Sequence, residues 1–500
     1  MRIVDASEIR AAEAAAVAAG IPEYVLMKRA GEAAANMVSR LMRKFGFSRI
    51  VFLCGGGNNA GDALVTASQL HGVFPMRIWS VRPLDALHGA AAEAVTEMPR
   101  ELRADSAFWP EDPKLQCGDL IVDGLLGIGL KGEVRTEIAG VISKVNASGL
   151  PVLSLDVPSG MDSDSGEGRC PGGEALRARW TLTFGLPKKG LFSLSGINFS
   201  GVLHTADIGL GEFVPETSCD LEAYTVTDAY RALPVFAADT HKNRRGRLLV
   251  MAGSHQYPGA AALAAQAALR SGAGLVRAIR PAGCAPAFPD AVIPMELPAG
   301  RDGGFVIAPD WRKLPPVDAL TAGPGWGGGV SIEVLRAVLD FPGKLLLDAD
   351  ALNLLSMHPE IWRIRPETVL TPHPGEAERL RRAFGIGDAP DRIQLASELA
   401  KRTGAVVVLK GARTAVASPD GRCSLNTSGS ADLATAGSGD VLSGIIGALM
   451  SSGMTCRDAA CLGVFIHGAA GELCGRGCIA DDLPSASAKV LAELENRTFL

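Results

Sequence analysis

The chain has 500 residues, more than one hydrophobic core ordinarily serves, so two domains are expected. Apolar residues make up 47% and charged residues 21%, with a net charge of −5 and no basic run, which describes a globular chain and excludes nucleic acid as an expected partner. Gly is frequent (59) and aromatics are few (5%), no apolar run is long enough to span a membrane, and the 10 cysteines are scattered, so the expectation is an α/β protein of the cytoplasm with reduced thiols and no zinc.

Asp5, Glu8, Arg10 and Glu13 among alanines mark a helix over 7–19 rather than a secretion signal. A second Ala-rich helix follows over 24–45, after the break at Gly20-Ile21-Pro22. Residues 49–54 read as a buried strand that runs into Gly55-Gly56-Gly57-Asn58-Asn59-Ala60-Gly61-Asp62, with a helix over 63–71. Strand, glycine loop and helix is a dinucleotide-binding order. The spacing is not G-x-G-x-x-G, and the two amides suit a monovalent cation or a ribose. Strands over 76–81, 119–123 and 152–156 and a helix over 86–98 continue the alternation. Two of these strands finish in Asp123 and Asp156 beside glycine turns, at the sheet edge where open α/β sheets bind ligands. Asp is also an ordinary turn former at a strand end.

Asn58-Asn59-Ala60-Gly61-Asp62, Asp123 with Gly127-Ile128-Gly129-Leu130, and Asp156-Val157-Pro158-Ser159-Gly160 resemble the N-terminal domain of the bifunctional NAD(P)H-hydrate repair enzymes. That resemblance implies a Rossmann-like three-layer domain and an epimerase exchanging the R and S forms of the hydrated nicotinamide ring (NADHX and NADPHX). Position by position, it implies K⁺ held by Asn59, Asp123 and Ser159. The hydrate would lie on Asn58, Asn59, Ala60, Gly61 and Asp62, on the loop Gly127, Ile128, Gly129, Leu130, Lys131, Gly132 and Glu133, and on Asp156, the acid/base candidate. The family's usual glycine is replaced by Ala60; were φ positive there, its methyl would cost about 1 kcal/mol.

From 211 to 239 the alternation lapses, and this stretch is read as the connection, with a boundary near Cys219 and domains over 1–218 and 219–500. Strands are then expected over 247–252, 275–279, 318–322, 344–348, 368–371 and 405–410, a small-residue helix over 261–271, and a hairpin turn at Pro419-Asp420-Gly421. Ala434-Thr435-Ala436-Gly437-Ser438-Gly439-Asp440 opens an apolar helix over 441–450. Free N–H groups and the dipole make such a start an anion site, and Gly437 and Gly439 let phosphate approach the backbone. A carboxylate there repels phosphate unless its task is to take a proton from a hydroxyl attacking phosphorus. Taken alone, the heptapeptide is equally a plain glycine-rich cap.

The order of these parts resembles the ribokinase-like fold, and more closely the ADP-dependent dehydratase half of the same repair enzymes. The resemblance implies that Lys410, Gly411, Ala412, Arg413, Thr414 and Gly439 hold ADP with Mg²⁺. It implies that Ala260, Gly323, His373 and Asp440 contact the hydrate, with Asp440 the catalytic base. Read singly, His373 is a helix cap, Lys410 a solvated strand end, and Asp348 and Asp350 turn acids without a role. The resemblance implies a homo-oligomeric metabolite-repair enzyme that epimerises NAD(P)HX and dehydrates the S form with ADP, releasing AMP and phosphate. The rival readings are a ribokinase-like small-molecule kinase that releases a stable phosphate ester, and a dinucleotide-binding module without turnover.

Overall fold

The computed structural model describes residues 1–214, 221–389 and 391–498, and the chain divides into two compact units, Met1–Cys219 and Asp220–Phe499. The boundary expected near Cys219 lies outside the described residues.

The first unit is a seven-stranded sheet: β1 (Arg49–Cys54), β2 (Met76–Ser80), β3 (Ala107–Phe108), β4 (Asp119–Gly124), β5 (Val152–Leu155), β6 (Trp180–Phe184) and β7 (Val202–Ala206). Their order is β3-β2-β1-β4-β5-β6-β7, parallel throughout. Its helices are α1 (Ala6–Ala18), α2 (Glu23–Phe45), α3 (Asn58–Leu70), α4 (Gly89–Glu97), α5 (Arg100–Ala104), α6 (Thr136–Ser148) and α7 (Leu194–Ser200). Side chains alternate across β1: Ile50, Phe52 and Cys54 join a core with α2, α3 and α4, while Val51 and Leu53 join another with α6. Helices therefore cover both faces, the arrangement an all-parallel sheet requires. The strand order reverses between β1 and β4, so a ligand crevice is expected at their C-terminal ends.

One expectation is corrected here. The stretch 58–62 is not a loop before the helix but its first turn, because α3 begins at Asn58. The non-glycine residues with positive φ among those described are Asp156, Ala349, Arg413 and Arg497, so Ala60 carries no left-handed strain. Its methyl is fully buried in the core that α3 shares with α2.

The second unit holds β8 (Leu221–Tyr224), β9 (Arg247–Met251), β10 (Leu275–Pro281), β11 (Ile293–Leu297), β12 (Ala319–Ala322), β13 (Lys344–Leu347), β14 (Thr368–Leu370), β15 (Val406–Leu409), β16 (Ala415–Ala417) and β17 (Cys423–Asn426). They form one sheet in the order β11-β10-β9-β12-β13-β14-β15-β16-β17-β8. Pairing is parallel except on the two sides of β16, where the expected hairpin turns. Around the sheet lie α8 (Val226–Ala232), α9 (Pro258–Arg270), α10 (Ile332–Leu339), α11 (Asp350–Met357), α12 (Pro374–Ala383), α13 (Arg392–Thr403), α14 (Ser438–Ser451), α15 (Cys456–Cys474) and α16 (Leu483–Glu495). The second correction falls here: part of the stretch read as a connection is structured, since β8 pairs in parallel with β17 and α8 carries a Thr225–Asp228 capping box.

Close approach seats α14. A Cβ on Gly444 would lie 2.2 Å from the Ala264 carbonyl oxygen of α9, so only glycine lets these helix backbones touch. Helix α14 also packs on β9, β12 and β13. Among the described residues, no helix is long and apolar enough to cross a membrane, and the cysteines are free.

Candidate active sites

In the first unit the crevice is a cavity of about 830 Å³, lined by Asn58, Asn59 and Asp62 of α3, by 127–131 and Glu133, by Asp156, and by Glu13, Glu23 and Lys188. Asp123, at the end of β4, is fully buried and accepts hydrogen bonds from Ser154 Oγ (2.9 Å), Ser159 Oγ (2.6 Å), Ser159 N (2.9 Å) and Leu125 N (3.2 Å). Burial pushes its carboxyl above the usual range despite those donors. Leu126 ties the neighbours together: its carbonyl accepts from Asn59 Nδ2 (2.9 Å) and its N–H donates to Ser159 Oγ (2.8 Å). Asn59 Oδ1 is left buried without a hydrogen-bond partner.

Asp156 follows β5 with φ of +65°, a conformation that costs a side chain about 1 kcal/mol or more and is tolerated where the surroundings over-determine it. Here they do. Its carboxylate accepts from Phe184 N at 3.2 Å and from Thr183 Oγ1 at 3.4 Å, and is paired with Lys188 Nζ. The Lys188 side chain is 1% exposed, and its ammonium also donates to Thr183 Oγ1 (3.1 Å) and the Phe184 carbonyl (2.9 Å). Asp62 stands well above the usual carboxyl range because of desolvation and the nearby charges of Asp156 and Glu13. Ala60 and Gly61 pack inward instead of lining the cavity; a Cβ on Gly61 would meet Met27 Sδ at 2.5 Å. Gly132, with φ of +72°, turns the loop.

In the second unit the strand ends bring a different set together. Lys410, just past β15, donates to Asp348 at 2.7 Å, and Asp348 also accepts from Ser443 Oγ of α14 at 2.6 Å. Asp440 lies in the first turn of α14, whose N-cap Gly437 has φ of +87°. Burial and the neighbouring Asp348 push its carboxyl up to about 7, against the pull of Lys410. A Cβ on Gly439 would stand 3.5 Å from Lys410 Nζ, which places the lysine beside the helix start. Gly323, after β12, has φ of +117°, and a Cβ there would fall 1.9 Å from the Asp348 carbonyl oxygen. Ala260 is buried on α9 next to Gly325.

His373 is the helix cap that it resembles when read alone: its Nδ1 accepts from Gly375 N (3.0 Å), and Glu376 returns a bond to the His373 N–H (2.8 Å). Glu376, pushed up by burial, stands 3.9 Å from Lys410 Nζ and so joins His373 to the lysine. Of the nucleotide candidates, Arg413 is buried with φ of +52° and donates to the Thr427 carbonyl at 2.6 Å, while Thr414 Oγ1 donates to the Gly411 carbonyl at 2.8 Å. Gly411 and Ala412 are exposed beside them. His467 Nε2 lies 2.9 Å from the Ser438 carbonyl, and burial lowers its pKa to about 4, so the neutral ring braces the start of α14.

Asp348 was visible in the sequence as a strand-end acid, but its task as the partner of Lys410 and Ser443 was not. Lys188 follows a strand that the alternation did not reveal, and Glu13 reads as the polar face of an Ala-rich helix.

The family model of NAD(P)H-hydrate dehydratase matches residues 248–489, and that of the YjeF-related protein N-terminus matches residues 23–190. The bifunctional NAD(P)H-hydrate repair enzyme of Gloeobacter violaceus is 38% identical over 485 residues, spanning 94% of this chain and 93% of that one. Its Escherichia coli counterpart is 35% identical over 505 residues, spanning 97% and 93%. The crystal structure of an ADP/ATP-dependent NAD(P)H-hydrate dehydratase from Bacillus subtilis is 29% identical, covering 55% of this chain and 99% of that chain with a TM-score of 0.46. Similarity of this extent, running through both units, makes the chain a member of the bifunctional NAD(P)H-hydrate repair enzyme family.

Proposed function

We propose that the two units return hydrated NAD(P)H to NAD(P)H in two steps, epimerisation at the first cavity and ADP-dependent dehydration at the second site. The observation that carries the dehydratase step is the placing of Asp440 at the anion-binding start of α14, beside the Lys410–Asp348 pair. Hydroxide is a poor leaving group, so loss of water at neutral pH calls for a better one. Asp440 takes the proton from the ring hydroxyl, whose oxygen attacks the terminal phosphorus of ADP. The N–H groups of 437–439 and the ammonium of Lys410 face the charge that develops on the transferring group. AMP leaves, the ring nitrogen pushes out phosphate, and loss of a proton from the neighbouring ring carbon restores the dihydronicotinamide. Among the described residues no cluster of three or more His, Cys, Asp or Glu forms a metal cage, which fits an Mg²⁺ carried mainly by the nucleotide's phosphates. That ion would neutralise phosphate charge.

In the first unit, Asp156 exchanges protons with the hydrate, held in place by Lys188 and the Phe184 N–H. The orphaned Asn59 Oδ1, the buried Asp123 carboxylate and Ser159 Oγ form an all-oxygen donor set that suits K⁺. Those residues would hold the ion, whose charge offsets that of buried Asp123. A cytoplasmic site of action, in keeping with the free thiols, and self-association complete the reading.

The test is product stoichiometry from (S)-NADHX. One AMP and one phosphate per NADH, with no stable phosphate ester, is the expected result. Accumulation of a phosphorylated hydrate would favour a simple kinase.

A further inference from the structure

Glu13 projects from α1 on the face that carries Ile9 and Ala16, both buried, one helical turn to either side. It lines the same cavity as Asp156, Asp62 and Lys188. Asp156 is occupied by Lys188, Thr183 and the Phe184 N–H. Glu13 forms no hydrogen bond or ion pair with another side chain among the described residues. The charged groups facing it are Arg10 on its own helix, Glu23 of α2, Asp62 of α3, and Asp156 and Lys188 from the strand ends. A carboxyl kept half-buried and unpartnered beside a lysine-bound carboxylate is free to exchange its proton.

The reaction calls for such a group. The two epimers differ at one carbon, which bears a hydroxyl and the ring nitrogen. They interconvert when the hydroxyl O–H and the carbon–nitrogen bond break, a carbonyl forms, and the nitrogen takes up a proton. Rotation about the adjacent carbon–carbon bond and the reverse steps close the ring on the other face. One proton is taken and one is given in each half, so atoms and charge balance. The R and S hydroxyls point to opposite faces of the ring, so a single carboxylate fixed by a lysine cannot serve both.

We propose that Glu13 is the second catalytic acid/base of the epimerase, exchanging a proton with one epimer's hydroxyl while Asp156 serves the other. This rests on the epimerase reading of the first unit. Burial and the charge of Asp156 push the Glu13 carboxyl up to about 6, which suits a group that must give as readily as it takes.

The experiment follows conversion of purified (R)-NADHX by the full-length protein, with the uncatalysed rate subtracted, across pH 5 to 8. For Glu13→Gln we expect kcat to fall by about 100-fold or more, with KM within about threefold of the parent. We also expect the parent's loss of rate below about pH 6 to be absent in that variant. Glu13→Asp, which keeps the carboxyl, should recover at least about a tenth of the parent rate. A Glu13→Gln protein with the parent's kcat and an unchanged acid limb would overturn the proposal while leaving the epimerase intact. So would a loss confined to KM. A parent protein that fails to convert the R form would overturn the epimerase reading, and the proposal with it.

Discussion

Lys410 Nζ and the Asp348 carboxylate, 62 residues apart, meet at 2.7 Å beneath the start of α14, and Ser443 closes the group from the helix itself. Asp348 is 1% exposed and Lys410 19%, so this is a buried pair whose members are costly to separate. Asp348→Asn leaves the ammonium without its counter-charge and should cost about 3 kcal/mol in urea unfolding of the second unit. Lys410→Met should raise the KM for ADP, measured by initial rates.

Asp440→Asn should lower the dehydration kcat by about 10²–10⁴-fold with little change in ADP binding. A base works unprotonated, so the parent's rate should fall as pH drops below about 7. Stability moves in the opposite sense. The folded-state value lies above the ordinary 3.8, so the folded state holds this proton more tightly, and stability is lost as pH rises from about 4 to about 7. Asp440→Asn should therefore raise the urea midpoint at pH 8 and leave it nearly unchanged at pH 4.

Gly323→Ala places a methyl 1.9 Å from the Asp348 carbonyl at a φ of +117°. Strain and overlap together should cost about 3 kcal/mol, read as a lowered midpoint for the second unit. The opposite exchange in the first unit tests the helical reading of 58–62. Ala60→Gly restores the family residue, yet it should cost about 1 kcal/mol as a helix glycine and leave epimerisation unchanged. A faster epimerase would contradict that reading.

Much of this was legible in the sequence, and the misses share a cause. Apolar runs ending in Asp123, Asp156 and Lys410 marked strand ends at the ligand edge, and the glycines before Asp440 marked an anion-binding helix start. Local chemistry is written in adjacent residues. Pairings set by topology are not: Ser443 looks like an ordinary helix serine, and its Asp348 partner lies 95 residues away. The strand Leu221–Tyr224 was read as part of a connection because its apolar pattern is short and its partner, β17, comes some 200 residues later. The start of α3 was placed too late because Asn-Asn-Ala-Gly-Asp has the composition of a loop, although Gly57 is the cap and Ala60 packs in the core.

Asn59→Leu removes the orphaned amide oxygen while filling the same space. The variant should lose any acceleration of epimerisation on replacing Na⁺ by K⁺, with the dehydration rate unchanged. An undiminished K⁺ response would exclude the Asn59, Asp123 and Ser159 set as its origin.

The most direct measurement mixes the protein with both epimers of NADHX, ADP, Mg²⁺ and K⁺, and follows the return of dihydronicotinamide absorbance. Two cooperating activities predict complete, ADP-dependent recovery of the R and S forms together. Recovery that halts at the S fraction and then creeps at the uncatalysed rate would contradict the epimerase, and no ADP-dependent recovery would contradict the account at its centre.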